Sequence, residues 1–292
     1  MPFADAGELR IAYESFGRPD ATPVILIMGL GAQMLAWRTG FCEQLAAHGF
    51  RVIRFDNRDV GLSSRVEASV PPTLWSLTSR AWGHRVKPPY QLTDMAEDVI
   101  ALMDALGIER AHLVGASMGG MIAQLCAINH RRRVASLSSM MSTTGDPDLP
   151  GPDWRVQREW LRPIPAEPKA QLERLVQIRK LVGSPDFFEE EEVRDYFRRV
   201  VARSADRSGV PRQLLAVLSA RSRTGGRRRL DVPALVLHGL KDKLLHASHG
   251  ARTARAIPGA SMHLLPRLGH DLPSPLWPEL SGRIAEHASG SA

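Results

Sequence analysis

A length of 292 residues with 43% hydrophobic side chains permits one core fold with a sizeable insertion, and equally two domains. The net charge is +7, but the arginine runs 131–133 and 227–229 lie apart without interleaved aromatic residues, which favours solvated surface over a nucleic-acid site. The longest apolar run, 24–30, is too short to span a membrane. Two cysteines, Cys42 and Cys126, both within predicted helices, support neither a disulfide framework nor a zinc site.

The first half of the chain alternates predicted strands with predicted helices. Continuous or alternating apolar runs predict the strands, and apolar residues at helical spacing predict the helices. Such alternation is typical of a parallel sheet that helices cover on both faces. The strands are expected at residues 7–17, 23–29, 51–56, 110–117 and 134–141, and the helices at 41–48, 94–106 and 118–129.

The pattern changes between Asp146 and Arg229, where a proline-rich stretch leads into helical segments rich in arginine and glutamate. We interpret this segment as a helical cap inserted into one α/β fold. The expected division is a first core part at 1–145, a cap at 146–229 and a second core part at 230–292. Further elements are expected at 170–181 and 189–202 in the cap, and at 233–239, 247–257, 260–266 and 275–288 in the core.

The motif Gly115-Ala116-Ser117-Met118-Gly119 follows a predicted strand and opens a predicted helix. This is the context of a nucleophile elbow, a sharp turn that exposes its central serine at the carboxyl end of a strand. The turn strains the backbone of Ser117, and side chains two positions before and after it are expected to collide with the neighbouring strand or helix. Ser117 is therefore predicted to be a nucleophile.

A serine hydroxyl needs a base to remove its proton, and the motif requires an acid and then a histidine later in the chain. Asp242 follows the strand at 233–239 and His270 follows the last strand, so both are expected at the sheet edge where Ser117 lies. His270 is expected to accept the Ser117 proton, and Asp242 to orient its ring. Asp146, just after an earlier strand, is an alternative acid.

The oxyanion formed in ester hydrolysis needs preorganised donors, which are usually backbone N–H groups. One is expected at Met118, at the positive end of the elbow helix. The other is expected at Leu30, in the glycine turn Met28-Gly29-Leu30-Gly31 after the first long buried strand. The histidines are too scattered along the chain to predict a metal site.

On these residues the chain resembles serine esterases of the α/β-hydrolase fold over nearly its whole length. Among them it is most similar to the methylesterases of anthracycline biosynthesis, the aclacinomycin methylesterase type. The resemblance implies the triad and the oxyanion donors just described, no cofactor, and a helical cap over the pocket. The matching stretches are residues 52–63, 112–119 and 269–273 and the dipeptide His249-Gly250.

Two features depart from this resemblance. Met28 stands where many relatives carry a histidine that supports the oxyanion loop, and the cap sequence does not carry over, which leaves the substrate open. His246 and His249 open a predicted helix and are expected to contact the cap or solvent. The side chains expected near the pocket are Trp154, Trp160, Met140, Met141 and Leu30.

The leading hypothesis is hydrolysis of a small-molecule carboxylic ester with an apolar part, by a cytoplasmic monomer or homodimer without nucleic-acid or membrane partners. The charged residues 1–10 lack the apolar stretch of a signal peptide. Cofactor-free perhydrolysis of the haloperoxidase type and carbon–carbon bond hydrolysis use the same triad, and a catalytically idle binding protein is a further alternative. Ser117 disfavours epoxide hydrolases and haloalkane dehalogenases, which attack with a carboxylate.

Overall fold

One sheet forms the centre of the molecule. The computed structural model describes residues 2–69, 87–160, 162–163, 165–225 and 232–291. Within them the strands are β1 (Phe3–Ala6), β2 (Leu9–Phe16), β3 (Thr22–Ile27), β4 (Phe50–Phe55), β5 (Ala111–Ala116), β6 (Val134–Met140), β7 (Ala234–Gly239) and β8 (Ser261–Leu265). Their spatial order is β1-β2-β4-β3-β5-β6-β7-β8. The pairs from β4 to β8 are parallel, whereas β2 pairs antiparallel with both β1 and β4.

The central strand β3 shows why an uninterrupted apolar run is needed here. Ile25 and Ile27 pack into one hydrophobic cluster, and Val24 and Leu26 pack into a second. All four side chains are fully buried. Because successive side chains of a strand point to opposite faces, the sheet separates two cores and both of its faces are covered.

Helices supply those covers. In the first cluster, residues of α2 and α3 pack on the sheet, and in the second, residues of α1 and α9 do so. This arrangement confirms the parallel sheet covered on both faces. The helices of the described residues are α1 (Thr39–Ala47), α2 (Leu92–Ala105), α3 (Met118–Asn129), α4 (Trp154–Trp160), α5 (Pro168–Val182), α6 (Glu190–Arg203), α7 (Val210–Ser219), α8 (Ser248–Ala256) and α9 (Trp277–Ser289).

Between β6 and β7 the regular elements of the described residues are the helices α4 to α7 and a 3-10 turn at Pro185–Phe187. They have a small core of their own, formed by Val176, Tyr196, Phe197 and Val200. Helix α7 is tied to the sheet side of the molecule, because Arg212 forms a 2.8 Å ion pair with Asp59, which follows β4. We call residues 146–229 the helical insertion. Its expected end at 229 and the arginine run 227–229 lie outside the described residues.

The structure shows where the two cysteines and the first arginine run lie. Cys42 lies in α1 and Cys126 in α3, and both are buried free thiols, as expected. Burial raises the pKa of the Cys42 thiol to about 12. Arg131–Arg133 forms a short 3-10 turn without buried residues, so this arginine run lies at the surface. No helix in the described ranges is both long enough and apolar enough to cross a bilayer.

Candidate active site

Ser117 occupies the turn between β5 and α3 with φ 57° and ψ −123°, a left-handed conformation that is rare outside glycine. Hydrogen bonds hold this geometry, because the Ser117 N–H donates to the Met140 oxygen at 2.9 Å. The Ser142 hydroxyl donates to the Ser117 carbonyl oxygen at 2.7 Å. The strained turn expected for a nucleophile elbow is therefore present at the carboxyl end of a central strand.

The glycines of the elbow allow its close packing. A Cβ atom on Gly115 would lie 2.2 Å from the Gly119 carbonyl oxygen, and a Cβ on Gly119 would lie 2.0 Å from the carbonyl oxygen of Ile27 in β3. Both distances are far below van der Waals contact. The expected collisions with the elbow helix and the adjacent strand are thus confirmed, and only glycine fits at either position.

His270 and Asp242 meet at the same edge of the sheet. The His270 Nδ1 atom lies 2.7 Å from Asp242 Oδ2, while Asp242 Oδ1 accepts hydrogen bonds from the backbone N–H groups of Leu244 and Leu245. Burial raises the pKa of Asp242, but the charge and hydrogen bond of His270 outweigh it and hold this pKa below its usual value. A buried carboxylate that stays ionised therefore orients the imidazole through Nδ1.

Ser117 and His270 line one cavity of about 880 Å³. Its walls combine core loops, including Met28 to Gln33 and His270 to Ser274, with side chains of α5, α6 and the start of α7. Since Nδ1 is engaged by Asp242, the remaining Nε2 is the nitrogen available to a serine proton or a ligand. The structure thus brings Ser117, Asp242 and His270 to one site under the helical insertion.

Asp146, the alternative acid, lies in a different network. Its carboxylate accepts hydrogen bonds from the Ser222 and Thr224 hydroxyls and pairs with Arg252 at 2.8 Å. Burial raises the pKa of Asp146, but these hydrogen bonds lower it to about 2. Because His270 is hydrogen-bonded to Asp242 instead, the geometry favours Asp242 as its partner.

The glycine turn after β3 approaches the serine closely. A Cβ on Gly29 would lie 3.0 Å from the Ser117 Cβ. The Gly31 N–H donates to Gln213 Oε1 at 2.8 Å, whereas the Leu30 N–H has no acceptor among the described residues. Met118 is the first residue of α3, so its N–H has no partner within the helix. The two N–H groups expected to bind an oxyanion are therefore available.

Two side chains that sequence analysis did not assign hold this turn. Asn57 Nδ2 donates to the Met28 carbonyl oxygen at 2.8 Å, and Gln213, besides accepting from Gly31, donates to the Arg58 oxygen. They supply support to a loop that lacks the histidine of many relatives. The polar turn after β4 was a usable signal for Asn57, because it falls at the carboxyl edge of the sheet. No local signal marks Gln213.

The loop that carries His270 is fastened to the end of α5. The His270 N–H donates to the Val182 oxygen at 2.7 Å, and the Gly269 N–H donates to the Ser184 hydroxyl at 2.8 Å. That hydroxyl in turn donates to Asp271 Oδ1 at 2.6 Å. The helical insertion therefore contacts the histidine loop through backbone and side-chain bonds. Ser184 was also missed, since nothing in its local sequence indicates a partner 85 residues away.

The other residues expected near the pocket divide between wall, core and surface. Leu30 and Met141 line the cavity, but Met140 is fully buried in the second core cluster. Trp154 was wrongly placed, because its side chain is 61% exposed outside the cavity with two arginines over its ring. The Trp160 side chain lies outside the described part of the chain.

The two histidines near the start of α8 take the positions expected of cap-contact and surface residues. His249 is buried and bonds the Thr143 hydroxyl and the Pro150 oxygen, at the start of the helical insertion, whereas His246 is exposed. Across the residues that the structure describes, no cluster of three potential metal ligands occurs.

A partly buried serine at a strand–helix elbow lines one cavity with a carboxylate-bonded histidine, on a parallel sheet covered on both faces. This combination defines the class of α/β hydrolases. A family model described as the alpha/beta hydrolase fold matches residues 22–273. The chain belongs to this family.

Individual relatives agree with that assignment. The rhodomycin D methylesterase DnrP of Streptomyces peucetius is 28% identical over 304 residues, which cover 96% of this chain and 95% of that protein. A 2-hydroxy-6-oxononadienedioate/2-hydroxy-6-oxononatrienedioate hydrolase of Paraburkholderia phymatum is 27% identical, covering 90% of this chain and 85% of that protein. The enol-lactonase of Burkholderia xenovorans LB400 superposes with a TM-score of 0.75 at 23% identity, covering 99% and 100%, and shows the shared fold. The similarity to anthracycline methylesterases is confirmed.

Proposed function

We propose that the protein is a serine esterase in which Ser117, His270 and Asp242 form the catalytic triad. The observation that carries this proposal is the elbow serine facing the same cavity as a histidine whose Nδ1 is bonded to a buried carboxylate. The similarity of this chain to methylesterases over nearly its whole length supports a carboxylic ester as substrate. We assign residues 146–229 as the cap.

In the first half of the reaction, Ser117 Oγ attacks the ester carbonyl carbon as His270 Nε2 takes the hydroxyl proton. The carbonyl oxygen becomes an oxyanion, and the N–H groups of Leu30 and Met118 donate to it. Asp242 stabilises the imidazolium cation through Nδ1. The tetrahedral intermediate then expels the alcohol, which receives the proton from His270, and the acyl group remains on Ser117.

The second half repeats these steps with water as the nucleophile. His270 removes a proton from water, the resulting tetrahedral intermediate is held by the same two N–H groups, and Ser117 leaves with the proton returned by His270. The products are a carboxylic acid and the free enzyme. None of these steps needs a cofactor.

The cavity indicates the size of the substrate. A volume of about 880 Å³ lies at the upper end of the range, about 300–1,000 Å³, that is typical of drug-sized ligands. The similarity to rhodomycin D methylesterases supports a methyl ester on a bulky molecule for this chain as well. A cytoplasmic monomer or homodimer that needs no nucleic acid or membrane stays a prediction.

The test is turnover of a panel of p-nitrophenyl and methyl esters by the wild type and by Ser117→Ala. We expect the wild type to cleave at least one ester, and the variant to lose at least about three decades of kcat, because the nucleophile of a coupled triad is removed. Labelling by a fluorophosphonate probe gives an independent readout of Ser117. Equal turnover by both proteins would contradict the proposed nucleophile.

Perhydrolysis and carbon–carbon bond hydrolysis, the two alternative chemistries, use the same triad. The similarity to a 2-hydroxy-6-oxononadienedioate/2-hydroxy-6-oxononatrienedioate hydrolase supports carbon–carbon bond hydrolysis as an alternative. Probe labelling of Ser117 without cleavage of any ester would favour perhydrolysis or a ring-cleavage product. Neither labelling nor cleavage would favour the idle binding protein on the same fold.

A further inference from the structure

The cavity under the helical insertion has a large excess of positive charge. Among the described residues, two acidic side chains, Glu192 and Asp271, line it. Six arginines also line the cavity, so the wall carries an excess of four positive charges. These arginines are Arg38, Arg162, Arg174, Arg179, Arg207 and Arg212.

Four of the six arginines are neutralised by carboxylates, some of which lie outside the cavity wall. These four arginines therefore have a structural role, because their ion pairs join parts of the insertion to each other or to the core. The shortest N–O distances are 3.5 Å for Arg38–Glu192, 3.2 Å for Arg162–Glu159, 3.5 Å for Arg179–Asp271 and 2.8 Å for Arg212–Asp59.

Arg174 is held differently, by backbone carbonyl oxygens. Its guanidinium donates to the oxygens of Glu159 at 2.8 Å and Arg162 at 2.9 Å, and also to that of Pro163. These bonds fix the side chain in the wall without a dedicated carboxylate. They leave Arg207 as the remaining arginine to be explained.

Arg207 lies in the loop between α6 and α7, and its side chain is partly buried. Within the described residues its guanidinium takes part in no ion pair or hydrogen bond. Its Nη2 lies 3.3 Å from the position that a Cβ would take on Gly31, so the charge is placed beside the oxyanion loop. Asp206, the neighbouring acid, pairs with Arg65 instead.

The charge of Arg207 is partly withdrawn from water and has no counter-ion among the described residues. Burial lowers the pKa of Arg207, and the cation of Arg174 lowers it further, although Tyr196 acts in the opposite direction. A guanidinium stays protonated in proteins even so. A charge withdrawn from water without a counter-ion is costly, and an anionic ligand removes that cost.

We propose that the natural substrate carries an ionised carboxylate in addition to its ester bond, and that Arg207 binds this carboxylate beside the oxyanion loop. The planar guanidinium fork matches a carboxylate in two parallel hydrogen bonds. The inference rests on the proposed esterase function and narrows it to half-esters of dicarboxylic acids and to esters of similar charge. Arg207 then determines specificity, while the triad performs the chemistry.

The experiment compares monomethyl half-esters with the dimethyl esters of the same diacids, from succinate to suberate, as substrates of three proteins. They are the wild type, Arg207→Met and the charge control Arg199→Met, which removes an arginine that is 66% exposed outside the cavity. We expect the wild type to prefer the half-ester by at least about tenfold in kcat/KM at one or more chain lengths. Arg207→Met should lose about 30-fold on that half-ester through KM, but less than about threefold on its dimethyl ester.

Arg199→Met should preserve the preference, and Arg207→Lys should retain part of it, because lysine keeps the charge but loses the fork. An absence of preference at every chain length, or an equal loss on both esters in Arg207→Met, overturns the inference while ester turnover upholds the proposed function. The melting temperature of each variant shows whether it folds.

If the wild type cleaves no ester, the proposed function fails and the carboxylate site is judged by binding alone. Calorimetry then measures the affinity of Ser117→Ala for each half-ester and for the free dicarboxylates. Affinity that falls about 30-fold with Arg207→Met supports the site. The carboxylate site is overturned if Ser117→Ala binds these ligands equally well with and without Arg207→Met, or if neither protein binds them.

Discussion

At the scale of single residues, the site depends on which carboxylate faces His270. Asp242 accepts three hydrogen bonds, from His270 Nδ1 and from two backbone N–H groups, and Asp146 accepts from two hydroxyls and pairs with an arginine. Both carboxylates have pKa values below the usual range, so ionisation alone does not distinguish them. What distinguishes the two carboxylates is the partner of each one, since only Asp242 is bonded to His270.

The substitution Asp242→Asn should therefore lower kcat by about two to three decades, somewhat less than loss of the serine. An amide in place of the carboxylate can neither hold the imidazole in the same tautomer nor stabilise its cation. The matched control is Asp146→Asn, which makes the same change of charge in a network that does not touch His270. It should leave kcat near the wild-type value. A large loss of kcat in the control alone would transfer the acid role to Asp146.

The sequence was sufficient for residues whose role is local. A strand, a turn and a helix with small flanking residues predicted the strained geometry of Ser117, and the order of the motif directed attention to Asp242 and His270. Roles that depend on distant partners were out of reach. Asn57, Gln213 and Ser184 act on loops that are remote in the chain, so no spacing rule connects them. Trp154 was misplaced because an aromatic side chain in a proline-rich segment fits either a pocket or an exposed surface.

At the scale of elements, the junction between α5 and the histidine loop links the insertion to the site. The Ser184 hydroxyl accepts the Gly269 N–H and donates to Asp271, while Arg179 lies 3.5 Å from the same carboxylate. A Cβ on Gly269 would lie 2.4 Å from the backbone carbon of Gly183, so the two segments are in direct contact. The position of His270 therefore depends on the end of a helix in the insertion.

The substitution Ser184→Ala tests this dependence. It leaves the buried Gly269 N–H without its acceptor and should destabilise the fold by about 1–3 kcal/mol. Displacement of the adjacent His270 should also lower kcat by roughly 10- to 100-fold at temperatures where the variant is folded, with a smaller effect on KM. The measurement is kcat and KM on the best ester, together with the melting temperature.

The control for this substitution is Ser222→Ala, which removes a hydroxyl that bonds Asp146 away from the cavity. It should lower the melting temperature without changing kcat. The same outcome for Ser184→Ala would show that Ser184 is structural only, whereas partial recovery of kcat in Ser184→Thr would confirm the role of the hydroxyl.

Elements with a strong periodic pattern were predicted closely. The helix expected at 118–129 is α3 (Met118–Asn129), and the last expected helix, 275–288, is α9 (Trp277–Ser289). Among the described residues, one strand and two α-helices were missed. Strand β1 has four residues and α4 has seven, which are too short for a clear period, and α7 (Val210–Ser219) follows a polar loop and carries a proline in its first turn.

At the scale of the whole molecule, a doubly covered sheet with an added insertion buries titratable groups as well as apolar ones. Among the described residues, desolvation lowers the pKa of four histidines, and for His112 it lowers the pKa to about 4. His112 lies in β5 with its Nδ1 2.8 Å from the Ser136 hydroxyl. The other three are His238, His249 and His287. The folded protein therefore holds these rings neutral under conditions in which the unfolded chain protonates them.

Stability should consequently fall as the solution is acidified from about pH 7 towards about pH 4.5, above the range in which most carboxylates titrate. Each of these histidines binds a proton in the unfolded state below its ordinary pKa of about 6.5 but resists it in the folded state, so the free energy of unfolding rises with pH. His112 alone should contribute up to about 1.4 kcal/mol per pH unit, and about 3 kcal/mol in total by pH 4. Urea unfolding at half-unit intervals of pH measures this slope.

The variant His112→Asn separates this effect from a general loss of stability, because asparagine keeps a hydrogen-bonding group towards Ser136 but does not titrate. Its slope between pH 4.5 and pH 6 should be lower than that of the wild type by about one proton. His48→Asn is the control, since it makes the same substitution at an exposed histidine outside β5. A slope that is the same in all three proteins would mean that His112 is protonated to a similar extent in the folded and unfolded chain. Any loss of stability in acid would then have to arise from other groups. The burial of His112 in β5 would not lower the pKa of its ring.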